Sequence, residues 1–355
     1  MTVLPYATVE DVNDSLQVAY SARSSRVVYE KLLAGTGIVE GRLLRTFYPE
    51  FKTVKFDWPN RGYSPSWTLD LGENELISLT SVTSGGSSIP TSAILLRRYD
   101  NKPEPPYDHL EIDLSTAYAF SSGDTFQQSL EIEGKFGFND TDSTKVDGTL
   151  SGALSDSADT ATILPYNNLR TIGVGSLLLI DSEYVFVSNS RMADSGQTLT
   201  AGISDLQNVE AIPVSDSSVF AISETILVDA ERMLIYDIAG NTLYVTRALD
   251  GTPLAAHSSG AAVYSKSSFT LTRGVVGSTA ASHLDAASVT NHRYPGLVNE
   301  LNIAETVVLL EQTTSAYARV IGSGAAARSG IGSGLEDLRM SAELTYGRRL
   351  RSGAV

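Results

Sequence analysis

Two pairs of related segments constrain this chain more than any other feature in it. TRALDGTPLAAH (Thr246–His257) and TRGVVGSTAASH (Thr272–His283) each place an Arg ten residues before a His, with a Gly four residues after the Arg. Upstream, GSLLLIDSEYVFVSN from Gly175 and SETILVDAERMLIYD from Ser223 are apolar runs broken by Asp-x-Glu, at Asp181/Glu183 and Asp229/Glu231. Residues two apart on a strand share a face, so both carboxylates of a pair project to the same side. A buried carboxylate needs a cationic partner, and two Glu strands with two Arg segments supply one each. In chain order the pieces run Glu strand, Glu strand, Arg segment, Arg segment. The expectation is a pair of small β modules, one inserted within the other, with structural ion pairs Glu231 to Arg247 and Glu183 to Arg273. Gly251 and Gly277 then serve tight turns, with the Ala pairs and the His packed beneath.

The same groups admit two chemical readings, a hard-cation site or a carboxylate-based hydrolase using Asp181/Glu183 or Asp229/Glu231. Support for either is thin. Neither His stands four residues from another, no Ser sits in a nucleophile elbow, and Asp-x-Glu lacks the further oxygen ligands of a calcium loop. No catalytic, cofactor-binding or metal residue is assigned, and the chain is read as a non-enzyme without a cofactor.

With 42% hydrophobic residues, 29 Gly, 12 Pro and abundant Ser and Thr, the composition predicts mainly β structure with a few helices. A formal charge of −15 disfavours a surface built to grip phosphate backbones. The absence of Cys removes disulfides and thiolate chemistry, and no apolar run is long enough to span a membrane. Assembly in a reducing cytoplasm fits this usage.

Six regions follow along the chain, at residues 1–52, 53–138, 139–162, 163–290, 299–321 and 322–355. The first reads as two helices: Thr8 caps one with Asp11 at the third position, and Ser24 or Ser25 caps another that Pro49 stops. Gly35, Gly37 and Gly41 weaken this second helix by about 1 kcal/mol each relative to Ala, a cost that suggests a close neighbour. Residues 53–138 alternate with period two, as a small antiparallel sheet does. Residues 139–162, rich in Asp, Ser, Thr and Gly, read as a linker, and 163–290 as the inserted β modules. Asn299 or Asn302 caps a helix at 299–321, with Glu305 as the capping acid for Asn302. GSGAAARSGIGSG then forms a tether spanning about 20 Å. Beyond it lies an amphipathic arm carrying Leu335, Leu338, Leu344, Tyr346, Arg348, Arg349 and Arg351, a combination suited to docking on a partner.

ATVEDVNDSL, LLRTFYPEF, ENELISLTSVTSGG and PPYDHLEID together resemble head-to-tail connector (adaptor) proteins of long-tailed double-stranded DNA bacteriophages. The resemblance implies an α+β fold in which the N-terminal helices and the C-terminal helix form a helical ring-forming body. A small antiparallel sheet, a large inserted all-β decoration domain and an extended C-terminal arm complete it. It also implies a homododecameric ring beneath the portal in the virion neck. Its partners there are the portal protein, a neighbouring subunit, a stopper or tail-completion protein, and double-stranded DNA sliding through the lumen. The alternative is a tail-tip or fibre-associated protein that binds a host surface through its β modules.

Overall fold

A computed structural model describes residues 3–16, 24–59, 65–164, 172–314, 320–321, 328–329 and 333–348. Its helices are α1 (Val9–Leu16), α2 (Ser25–Leu43), α3 (Gly296–Thr314) and α4 (Ser333–Tyr346). The chain is mostly β, 35% strand against 21% helix, and contains a closed six-stranded barrel. The expected helical ring-forming body is therefore corrected: the sheets are the body, and the helices cluster on the outside of a barrel. Composition had pointed this way; the resemblance led away from it. None of the described helices is long and apolar enough to cross a membrane.

The first β region holds β1 (Glu50–Phe56), β2 (Thr68–Asp70), β3 (Leu76–Ser84), β4 (Ser87–Ile89), β5 (Ile94–Arg97), β6 (His109–Ile112) and β7 (Leu130–Phe136). These make two antiparallel sheets, ordered β1-β7-β3-β4 and β2-β6-β5. Alternation puts Leu130, Ile132 and Phe136 of β7 in a shared core with Leu69, Leu110 and Trp58.

The second β region holds β8 (Gly148–Leu150), β9 (Thr160–Leu164), β10 (Leu177–Ile180), β11 (Glu183–Thr198), β12 (Ala211–Pro213), β13 (Thr225–Val228), β14 (Glu231–Ala239), β15 (Thr242–Thr246), β16 (Ala262–Thr272) and β17 (Ser288–Asn291). The order β11-β10-β17-β8-β9-β16 closes on itself because β11 also pairs with β16. Strands β11 and β16 are long enough to continue into a second module, where β16 runs on to β13, β14, β15 and β12. That path returns to the end of β11 through the bridge Leu199↔Val214. The register between the long strands shifts between Val187 and Asn189, between Arg191 and Ala193, and between Asp194 and Gln197. Such bulges bend and twist a strand pair, which lets one pair serve two curved walls. The chain leaves the first module along β11, builds the second, and returns along β16. Strands β8 and β9 come from the acidic stretch read as a linker. Three- and five-residue strands between turns carry no long apolar period for a sequence pattern to reveal.

Each module has its own core. Leu178, Ile180, Val185 and Val187 fill the first, and Ile226, Val228, Met233 and Ile235 hold the matching repeat positions in the second. The outer faces differ. In the first module Leu177, Tyr184 and Phe186 point outward into a cluster with Val39, Leu43 and Leu301 of the helices. In the second the same positions are Thr225, Arg232 and Leu234, none of them fully buried.

Thr8 and Asp11 form a reciprocal capping box on α1: the Thr8 N–H donates to Asp11 Oδ2 at 2.9 Å and the Asp11 N–H to Thr8 Oγ1 at 3.0 Å. Ser24 precedes α2 without a side-chain cap, and Leu44 ends it in the left-handed region. α3 begins at Gly296, so Asn302 and Glu305 lie inside it rather than at its cap. Asn302 instead accepts the Tyr6 N–H at 3.1 Å and donates to the Leu32 carbonyl at 3.3 Å. Of the three α2 glycines, only Gly35 meets a close neighbour: a Cβ there would stand 2.8 Å from Thr306 Oγ1 and 3.1 Å from Asn302 Nδ2, whereas Gly37 and Gly41 face open space.

Two opposite outcomes follow. Gly35→Ala should destabilise the protein by about 1–3 kcal/mol through overpacking of α2 on α3. Gly37→Ala and Gly41→Ala should each stabilise it by up to about 1 kcal/mol. Denaturant unfolding of the three variants measures both.

Candidate functional site

The hairpins β10–β11 and β13–β14 turn through Asp181-Ser182 and Asp229-Ala230, with Ile180 paired to Glu183 and Val228 to Glu231. Asp181 and Asp229 occupy the left-handed region at φ 52° and 50°, a conformation Asp tolerates better than most residues. Each hairpin thereby presents its Asp at the rim and its Glu just inside.

Arg273 grips Glu183 with both faces of its fork, Nε to Oε1 at 2.8 Å and Nη2 to Oε2 at 2.7 Å. Arg247 does the same to Glu231, at 3.0 and 2.6 Å. Both Glu side chains have no exposed surface. Their oxygens also accept backbone N–H groups: Gly274 and Ala281 on Glu183, Ala248 and Ala255 on Glu231, all between 2.9 and 3.1 Å. The spare guanidinium protons go to carbonyls, of Ser155, Ala158 and Ala281 for Arg273 and of Ser204 and Ala255 for Arg247.

The histidines complete the pattern. His283 Nε2 lies 2.9 Å from Glu183 and its Nδ1 2.7 Å from Asp181; His257 sits 2.9 Å from Glu231 and 2.6 Å from Asp229. Both contacts of a ring are hydrogen bonds only when it carries two protons. Each buried Glu charge is matched by its Arg. The backbone repeats as well: His283 bridges Leu154 in one module and His257 bridges Ile203 in the other.

This arrangement leaves little room for chemistry. In each module the imidazole fills the space between the two carboxylates, where a glycosidase would seat a sugar. The Glu oxygens already hold several donors, so no face is open to a cation.

On the docking arm, Leu335 is buried and Leu338 partly buried against the helix cluster, while Leu344 is 75% exposed. The Tyr346 ring packs edge-on against Phe47 and Phe138 at 6.1 and 5.6 Å, and the Arg348 N–H donates to the Leu43 carbonyl at 3.0 Å. Arg349 and Arg351 lie outside the described residues. Sequence reasoning counts Arg339 among the charges of the arm but misses its pairing: on α4 it donates to Glu305 of α3 from Nε at 2.6 Å and Nη2 at 2.7 Å. Residues 34 apart in sequence carry no local signal of pairing. It missed His292 too, which is buried between the Thr141 hydroxyl on Nδ1 and the Phe47 carbonyl on Nε2.

Comparison with protein-family models, curated proteins and solved structures finds no match to this chain.

Two acid-sensitive steps are expected. Burial pushes the His292 ring down to about 4 from 6.5. A depressed His contributes stability that is full above pH 6.5 and is lost as pH falls toward 4. Burial alone would raise Glu183 and Glu231, but their Arg, His and amide partners hold both at about 2, against 4.5 ordinarily. Their contribution is present above pH 4.5 and is lost as pH falls toward 2. Denaturant unfolding across pH 2–7 should show the lower window in the parent; because Glu224, raised to about 7, contributes with the opposite sign over pH 4.5–7, the upper window is read as the difference between the parent and His292→Gln. At neutral pH, Arg247→Ala and Arg273→Ala should each cost about 3–5 kcal/mol, because each leaves a buried carboxylate unpaired.

Proposed function

We propose that this protein is a non-enzymatic structural component of a phage particle, acting at the head-to-tail junction as a connector between portal and tail. The observation that carries this reading is the way the two ends of the chain meet. α4 is clipped to α3 through Arg339 and Glu305 and to α2 through Arg42 and Glu343 at 2.8 Å. Its outer face still leaves Met340 and Leu344, one turn apart, 61% and 75% exposed. A seated helix that leaves two large apolar side chains exposed among polar ones suits an arm that meets a partner protein. Two rigid β modules whose buried Glu charges are each matched by an Arg suit a part that bears load.

Because the helices sit on the barrel, subunit contacts in a ring come from the β body as well as from the arm. The acidic surface suits DNA passing through a lumen without being held there. The second reading, a tail-tip protein binding a host surface, draws support from the polar outer face of the second module.

Negative-stain microscopy and native mass measurement of the protein alone and mixed with portal should show closed rings. Met340→Asp with Leu344→Asp should weaken portal binding at least tenfold at unchanged Tm. Persistent monomers that ignore portal would defeat the connector reading, and retention on host cells would favour the second.

A further inference from the structure

The internal repeat isolates one residue that the fold does not require. Glu224 and Ser176 occupy the same position of the two modules, each just before the first hairpin. Both do the same local job: Ser176 Oγ accepts the Gly173 N–H at 3.1 Å, and Glu224 Oε2 accepts the Ala221 N–H at 3.0 Å, each from three residues upstream. A hydroxyl suffices for this in the first module. In the second, a carboxylate leaves its other oxygen to spare, although Glu224 is only 2% exposed. The Ser265 hydroxyl also bonds to this carboxylate, yet Oε1 is buried with no hydrogen-bond partner among the described residues.

Glu224 lines a cleft of about 790 Å³ where α1, the start of α2 and the junction of the two modules converge. That size is in the range of small-ligand sites. Arg191 and Asp14 also line the cleft, and several of its other charged groups have partners nearby. Arg232 faces Asp250 at 3.5 Å, Arg26 pairs with Glu30 at 3.7 Å, and Glu10 takes the Val174 N–H and the Ser190 hydroxyl. A buried carboxylate oxygen that accepts no hydrogen bond costs stability, and burial holds the Glu224 carboxyl up at about 7. A cationic donor entering the cleft would supply the missing partner and let the group ionise.

We propose that the cleft between the helices and the module junction binds an organic cation, a primary amine or guanidinium, with Glu224 Oε1 as its anchor. The cation is either a free small molecule or the Lys or Arg side chain of a partner protein, since both present the same head group. The test titrates n-butylamine, agmatine and the peptide acetyl-Ala-Arg-Ala-amide into the full chain. Binding is followed by the Glu224 side-chain carbon resonance and by the carboxylic-acid band in the infrared. The controls are Glu224→Ser, which installs the residue of the sibling module, and Glu224→Gln.

Saturable binding, loss of the acid band on binding, and at least tenfold weaker affinity in both variants, which should melt no lower than the parent, are expected. Tighter binding of the peptide assigns the cation to a partner side chain, and tighter binding of the free amines to a small molecule. No saturable binding of any of the three probes, or equal affinity in Glu224→Gln, overturns the proposal.

Discussion

The buried pairing of one Glu with one Arg, made twice, is the constraint on which the second β region depends. A carboxylate with no exposed surface is tolerated only where its partner has excellent geometry and every remaining lone pair is used. Here a two-pronged guanidinium, two backbone N–H groups and an imidazole meet each Glu. Arg247 follows β15 and Arg273 follows β16, so each pair ties the Glu-bearing hairpin of its module to the end of a later strand. For Glu183 and Arg273 the sequence separation is 90 residues, so the second module is enclosed by the closure of the first.

Duplication preserved the inside and released the outside. The core positions of the two modules match in type, and the Asp, Glu, Arg and His recur with nearly the same distances. The outer positions follow the neighbours instead. Where the first module meets the helix cluster its outer residues are Leu177, Tyr184 and Phe186, and where the second does not they are more polar. The turn glycines show the same divergence. Gly251 and Gly277 both have positive φ, 74° and 78°. Only Gly277 also meets another backbone, since a Cβ there would stand 2.1 Å from the Phe51 carbonyl oxygen. That approach, with the Phe51 N–H donating to the Val276 carbonyl at 2.8 Å, attaches the first sheet to the first module.

The helices act as a clamp more than as a body. Tyr6 shows how: its hydroxyl donates to Glu40 at 2.6 Å and accepts the Phe47 N–H at 3.2 Å, while its backbone is held by Asn299 and Asn302 of α3. The chain's opening residues are thus locked between its second and third helices. α4 then covers the same cluster through Leu335 and Ala342, both buried.

The sequence by itself determined which residues are chemically special and that they come in pairs. Asp-x-Glu on a strand and Arg ten residues before His are local patterns, and charge balance matches them one to one. It determined the capping box of α1 as well, because a cap is an interaction across three residues. Only the tertiary structure decided that β11 and β16 run through both modules, that the acidic stretch at 139–162 contributes barrel strands, and that helices decorate a β body. Each of these depends on pairings across tens of residues, where strand register and packing area decide the outcome and local periodicity carries no information. The same holds for Glu224: in sequence it is one more Glu before a strand, and only the fold buries it beside a cleft.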